Sequence, residues 1–149
     1  MYGEAPANRA LGHAWVLLCL ALALHVFDEA MTGFLAVYNP TVEALRSQLG
    51  WWPMPTFGFG EWLAGLIVGC VVLLALTGLV TRGVPGTRVL AYGFAIIMLL
   101  NAGSHTLATI FGRTVASVTF PRPAPGFWSS PVMAAAAVYL LFQLRKSAA

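Results

Sequence analysis

Two short patterns in this 149-residue chain carry side chains that can do chemistry. The first is His25-Val26-Phe27-Asp28-Glu29, and the second is Asn101 with His105. Residues three and four apart share a helix face, so His25 neighbours both Asp28 and Glu29, and Asn101 neighbours His105. Two imidazoles with two or three carboxylates match the ligand set of zinc, iron or manganese. A bound metal there would polarise a substrate oxygen or activate water. Without metal, carboxylate–imidazole pairs can pass protons to and from a substrate. The same groups could also line a path for a proton or an ion.

Their setting makes these groups costly. An apolar run from about Ala14 to Val37 encloses the first pattern. About 20 such residues at about 1.5 Å each span the hydrocarbon of a bilayer. A charge in the middle of such a helix costs at least about 2.5–3.5 kcal/mol on insertion scales, so partners or a function must offset it. The chain is 59% hydrophobic and only 9% charged, with a mean hydropathy of +0.80. That is far below the roughly 25% charge of soluble domains and marks a single integral membrane domain over residues 1–149. A net charge of +3 is too small to suggest a nucleic-acid partner. The implied surroundings are membrane lipid and a hydrophobic small molecule. Cys19 and Cys70 lie in apolar runs without disulfide or zinc spacing. No nucleophile elbow, phosphate loop or redox CxxC occurs.

The expected architecture is all-α: a four-transmembrane-helix bundle with spans at about 13–37, 60–80, 88–111 and 128–144. Residues 1–12 read as a polar arm. Ala21-Leu22-Ala23 has the look of a leader cleavage site. The weakly basic start and the continuing apolar run favour a span instead. Tyr38-Asn39-Pro40 is expected to stop span one, with Asn39 as a new N-cap and a short interfacial helix over 40–49 in the first outer loop. The aromatic, proline-rich segment 51–60 suits the headgroup layer, as do Trp15, Trp51, Trp52, Trp62 and Trp128. Tyr38 and the 51–59 loop could lie over a pocket as a lid. Glu61, Gly65 and Gly69 fall on one stripe of span two, where small residues allow close helix packing or an oligomer contact. Four spans place Arg9, Arg82, Arg88, Arg145 and Lys146 on one side and Arg46, Arg113 and Arg122 on the other. The positive-inside rule then puts both termini in the cytoplasm.

Spans one and three run in the same direction, so depths can be compared. His25 is 12 residues past His13, and Asn101 is 13 past Arg88. Glu29 is 16 past, and His105 is 17 past. If these spans are neighbours, the two polar stripes come out level. Candidate site residues are therefore His25, Asp28, Glu29, Asn101 and His105, with Glu61 entering from the outer end of span two. Within that set His25, Glu29 and His105 are the candidate metal ligands. Residues that only hydrogen-bonded across helices would stabilise a bundle without further function, but five such groups at one depth favour a site. His13, at the span boundary, reads as interfacial. Arg113 and Arg122 read as loop charges able to meet a phosphate or carboxylate headgroup.

The order of these motifs resembles the HXXEE family of small bacterial integral membrane proteins. That family carries His-x-x-Glu-Glu, then Asn-x-x-x-His, then Tyr-x-Pro-Gly. Here the first reads His25-Val26-Phe27-Asp28-Glu29, with Asp28 in place of the first Glu. The second is intact as Asn101-x-x-x-His105. The third is Pro123-Ala124-Pro125-Gly126, which keeps Pro-Gly and lacks the Tyr. Ser129 or Ser130 and then Pro131 follow, as in the family's last span. The resemblance covers about residues 20–140. It implies a membrane-embedded site of enzymatic character in a bacterial inner membrane, and supplies no substrate. A looser likeness, in chemistry and not in motifs, is to the emopamil-binding isomerases, which use carboxylates and His on sterols. The expected activity is acid–base or metal-assisted chemistry on a lipid-like substrate between spans one and three. The alternative is a ligand or ion binder, or a transporter, using the same cluster.

Overall fold

The computed structural model describes residues 6–147. They are all-α: α1 (Pro6–Thr32), α2 (Leu35–Leu49), α3 (Phe59–Ala75), α4 (Thr77–Thr81), α5 (Thr87–Phe111) and α6 (Ser130–Lys146). An isolated bridge between Arg113 and Thr119 folds back the loop after α5. Asn8–Thr32, Phe59–Thr81 and Thr87–Phe111 are each long and apolar enough to cross a membrane. The 17-residue α6 packs between α1 and α5.

One buried stripe on each of three helices makes the core. On α1 it runs through Leu11, Ala14, Trp15 and Leu18; on α5 through Ala91, Phe94, Ala95 and Met98; on α6 through Met133, Ala137, Leu140 and Leu144. These steps of three and four are the helical repeat. The α1 stripe continues to His25 and Glu29, and the α5 stripe to Ala102 and His105. The polar cluster is thus the upper end of the core itself. α1 and α5 meet mainly through α6, so the expected adjacency of spans one and three is largely indirect. At the other end, Gly83 lies against Asn8, and the Arg88 guanidinium donates to the Leu144 carbonyl and the Ser147 hydroxyl. The start of α1, the α4–α5 turn and the end of α6 therefore share one side.

Several expected boundaries are corrected. Residues 6–12 are helical and belong to α1; residues 1–5 of the expected arm lie outside the described part. Span one ends at Thr32, not Val37. Gly33 has a φ of +75°, and the Phe34 N–H donates to the Glu29 carbonyl at 3.0 Å, the bond of a left-handed helix stop. The lone Gly33, in an apolar run, ended the helix before Pro40 could. Pro40 instead lies inside α2, which starts at Leu35 and not at 40. Tyr38 and Asn39 are fasteners, not a stop: the Tyr38 hydroxyl donates to the Pro55 carbonyl, and the Asn39 amide bonds both the N–H and the C=O of Phe57. Arg46 adds a bond to the Met54 carbonyl. Span two is broken at Leu76 between α3 and α4. Span four starts at Ser130, because Ser129 closes the preceding turn.

Trp15 and Trp62 are not interfacial anchors. Trp62 is buried against Phe34. Trp15 is buried, and its indole N–H donates to the Leu73 carbonyl at 2.9 Å, one of the last-turn carbonyls that the end of α3 leaves without a helical donor. Trp51 and Trp128 are 71% and 68% exposed. A Cβ at Gly65 or Gly69 would meet nothing within 4 Å, so that stripe plays no part in packing within the chain. Trp15→Phe should therefore lose about 1 kcal/mol from the missing bond, seen as a lower thermal denaturation midpoint in detergent. Trp128→Phe should leave that midpoint unchanged.

Candidate metal centre

His25, Glu29 and His105 come together at the end of the core, 1%, 5% and 6% exposed. Oε1 of Glu29 lies 3.4 Å from Nε2 of His25 and 3.2 Å from Nε2 of His105. The two rings meet edge to face, with centroids 4.7 Å apart. One ligand atom from each residue falls within 4.8 Å of the others, so the three could hold a metal ion. Donors about 2.0–2.1 Å from a tetrahedral zinc stand about 3.3 Å from each other. Both Glu29 distances match that spacing.

The surroundings orient His25. Its Nδ1 is 2.8 Å from the Ser129 hydroxyl, and that hydroxyl donates to Oδ2 of Asp28 at 2.8 Å. With the hydroxyl proton on the carboxylate side, a neutral His25 that serves as a ligand would carry its proton on Nδ1 and donate to Ser129. Nε2 is then a bare lone pair, and the Asn101 amide approaches it at 3.2 Å. A ligand His whose far nitrogen donates into a hydroxyl–carboxylate pair has its tautomer and ring direction fixed.

Asp28 has a second job. Its Oδ2 also accepts the Ser129 backbone N–H at 2.8 Å, at the head of α6. The Ser129 side chain makes no cap bond of its own to α6, so a carboxylate from α1 caps that helix. The two acids sit in the last turns of α1, the negative end of its dipole. For Asp28 this is offset at the positive end of α6.

Gly126 closes the cluster from above. A Cβ there would lie 2.9 Å from Cγ of Glu29, 2.9 Å from Cε1 of His105 and 3.0 Å from Cε1 of His25. Its φ of +77° is a region L side chains rarely adopt. Its N–H donates to the Thr32 hydroxyl, and its carbonyl accepts from the Ser130 hydroxyl. The Pro125-Gly126 turn is thus a backbone lid pinned to α1 and α6. The neighbouring Ala124 N–H donates to the Thr109 hydroxyl on α5.

The residues expected at equal depth do meet: His25 with Asn101, and Glu29 with His105. Asp28 is present through Ser129 and not as part of the three-residue group. Glu61 does not join. It is exposed, and its carboxylate accepts the Gly58 N–H at 3.2 Å, capping α3. The expected convergence fails there because Glu61, at the third helical position, reaches back to its own N-cap. Ser129 and Gly126 are the residues that spacing alone passed over. The signal for them was Pro125-Gly126 with Ser129 three residues on, directly before a new apolar helix.

A cavity of about 290 Å³ adjoins the cluster, with Asn101 and His105 in its wall beside Phe34, Tyr38, Ala108 and Phe120. On the other side Glu29 borders a smaller one of about 120 Å³, with Phe34 again in the wall.

Gly33 and Gly126 have nearly the same positive φ, but a Cβ at Gly33 meets nothing within 4 Å. Gly33→Ala should cost about 1 kcal/mol from the backbone alone. Gly126→Ala should cost clearly more, up to about 3 kcal/mol, because three site side chains must also move. Parallel denaturation of the two variants measures the difference. Comparison of the chain with protein-family models, with curated proteins and with solved structures finds no match to any of them.

Proposed function

We propose that the protein is a four-span membrane enzyme in which His25, Glu29 and His105 hold a divalent metal, zinc, iron or manganese, and act on a lipid-like substrate. The observation that carries this is the His–Glu–His triad with its Asp28–Ser129 support. Charge balance favours a dication: it would sum to zero with the Asp28 and Glu29 carboxylates in a region where unbalanced charge is expensive. Two imidazoles and one carboxylate leave a coordination position open, as catalytic sites require. The ion would supply Lewis acidity to a substrate oxygen. An ion on Nε2 of His25 would displace the Asn101 hydrogen bond. The freed amide, already in the wall of the adjoining cavity, would then orient that substrate oxygen. Glu29 would be the nearest group to take or return a proton.

Membrane placement draws on the three long apolar helices and on their outward faces. Ile67, Val68, Val71 and Val72 of α3 and Leu100, Leu107 and Ile110 of α5 are exposed, which suits lipid contact. We count α6 as the fourth span. At about 25 Å it is within the range of short spans, and the shared side of the α1 start and the α6 end supports an even number. The termini are assigned to the cytoplasm of a bacterial inner membrane by the basic residues on that side. The motif order supports a place near the HXXEE family. Asp28 can replace that family's first Glu if its role is to hold Ser129 and not the ion. The competing reading is a metal-free binder or transporter, favoured by the unbroken hydrogen-bonded run Asn101–His25–Ser129–Asp28.

Elemental analysis and zinc titration of purified protein separate the two. His25→Ala, His105→Ala and Glu29→Gln should each abolish stoichiometric metal. Ser129→Ala and Asp28→Asn should retain it with about 10- to 100-fold weaker affinity. Metal-free wild type that also ignores added zinc, iron and manganese would remove the metal from the proposal.

A further inference from the structure

The 290 Å³ cavity has a polar floor and mostly apolar walls. The floor is Asn101 and His105. One wall is the α5 face of Ser104 and Ala108; the other is the first turn of α2, with Phe34, Val37 and Tyr38. α2 and α5 do not pack on each other to any extent. Phe120, Pro125 and Thr114 also line the gap, and the Thr114 hydroxyl pairs with that of Thr41, tying α2 to the loop after α5. Beside it, the flanking residues Leu100, Leu107 and Phe111 of α5 are all exposed apolar side chains. No Lys or Arg lines the cavity.

From this we infer that the site is reached sideways from the hydrocarbon, between α2 and α5, by a single-chain lipophile with an uncharged oxygen head, an alcohol, aldehyde or ester. This rests on the lipid-like substrate proposed above and specifies its class. The exposed apolar flanks Leu100, Leu107 and Phe111 make the lateral side the one continuous with lipid. An anionic head such as a phosphate would need cationic partners, and the lining offers none. A neutral oxygen head finds a donor in Asn101 and the cluster at His105. Phe34 sets how far the chain can reach. Its ring stands in the walls of the main cavity, of the small one at Glu29, and of a third of about 290 Å³ next to Trp62 and Gly65. It is held there by rings on three sides, Tyr38, Trp62 and His105, with centroids 5.3, 5.7 and 5.9 Å away. Removing it would join the three chambers.

The test is photolabelling of the full chain in lipid nanodiscs with a ten-carbon alcohol bearing a chain diazirine, mapped by mass spectrometry. Labels should concentrate on Val37, Ser104, Ala108 and Phe120. Excess decan-1-ol should suppress them at least fivefold, whereas decane and decyl phosphate should not. Ala108→Trp, which fills the cavity, should remove the same labels and spare those on the outer faces of α1 and α3. Phe34→Ala should carry label to Trp62 and Gly65 with a sixteen-carbon probe that leaves them unlabelled in wild type. Labels confined to outer faces, equal competition by decane or decyl phosphate, or cavity labels that survive Ala108→Trp would each overturn the inference. The readout does not depend on bound metal, so it can fail while the metal centre stands, and the metal centre can fail while it holds.

Discussion

A carboxylate with 5% exposure, held between two imidazoles at the end of an apolar core, is the constraint on which this structure turns. Glu29 cannot be left alone in such a place without a cost of several kcal/mol. His25 comes from its own helix, four residues away, and is set by the helical repeat. His105 comes from α5 and requires that α5 take up one depth and one rotation. Gly126 must then pass over all three with no side chain of its own. Each requirement is met by backbone placement, so the helices, the turn and the cluster are one problem with one solution.

The support around His25 adds a layer to that solution. Asp28 sits one position before Glu29 and faces another way. It reaches α6 by bonding both the N–H and the hydroxyl of Ser129. One carboxylate thereby caps a helix and holds the hydroxyl that His25 bonds. A longer side chain would overshoot neither task in principle, but Asp has fewer torsions to freeze.

Much of this was legible in the sequence. Apolar runs of span length, and His and Asn at equal depth, located α1, α5 and the pairs that meet. What the sequence concealed depends on tertiary partners. Gly33 stopped α1 in a run with no other breaker nearby, while Pro40, normally the stronger signal, was absorbed by α2. Glu61 looked like a third contributor because depth was counted along the helix alone; its bond to the Gly58 N–H is a local competitor that depth cannot reveal. Trp15 resembled a headgroup anchor until the break at Leu76 placed a spare carbonyl within its reach. Ser129 could be noticed as a polar residue before a span, but its link to His25 crosses 104 positions.

That separation has a consequence for how the protein is made. Synthesis proceeds from the N-terminal side, so α1 is made well before Ser129 exists. For that interval Asp28 lacks its two donors, and Glu29 lacks His105 until α5 follows. The first helix must therefore wait with a poorly satisfied polar tip until the later helices follow. The arrival of α6 both caps a helix and discharges that debt, which makes assembly of the site and completion of the fold the same late event.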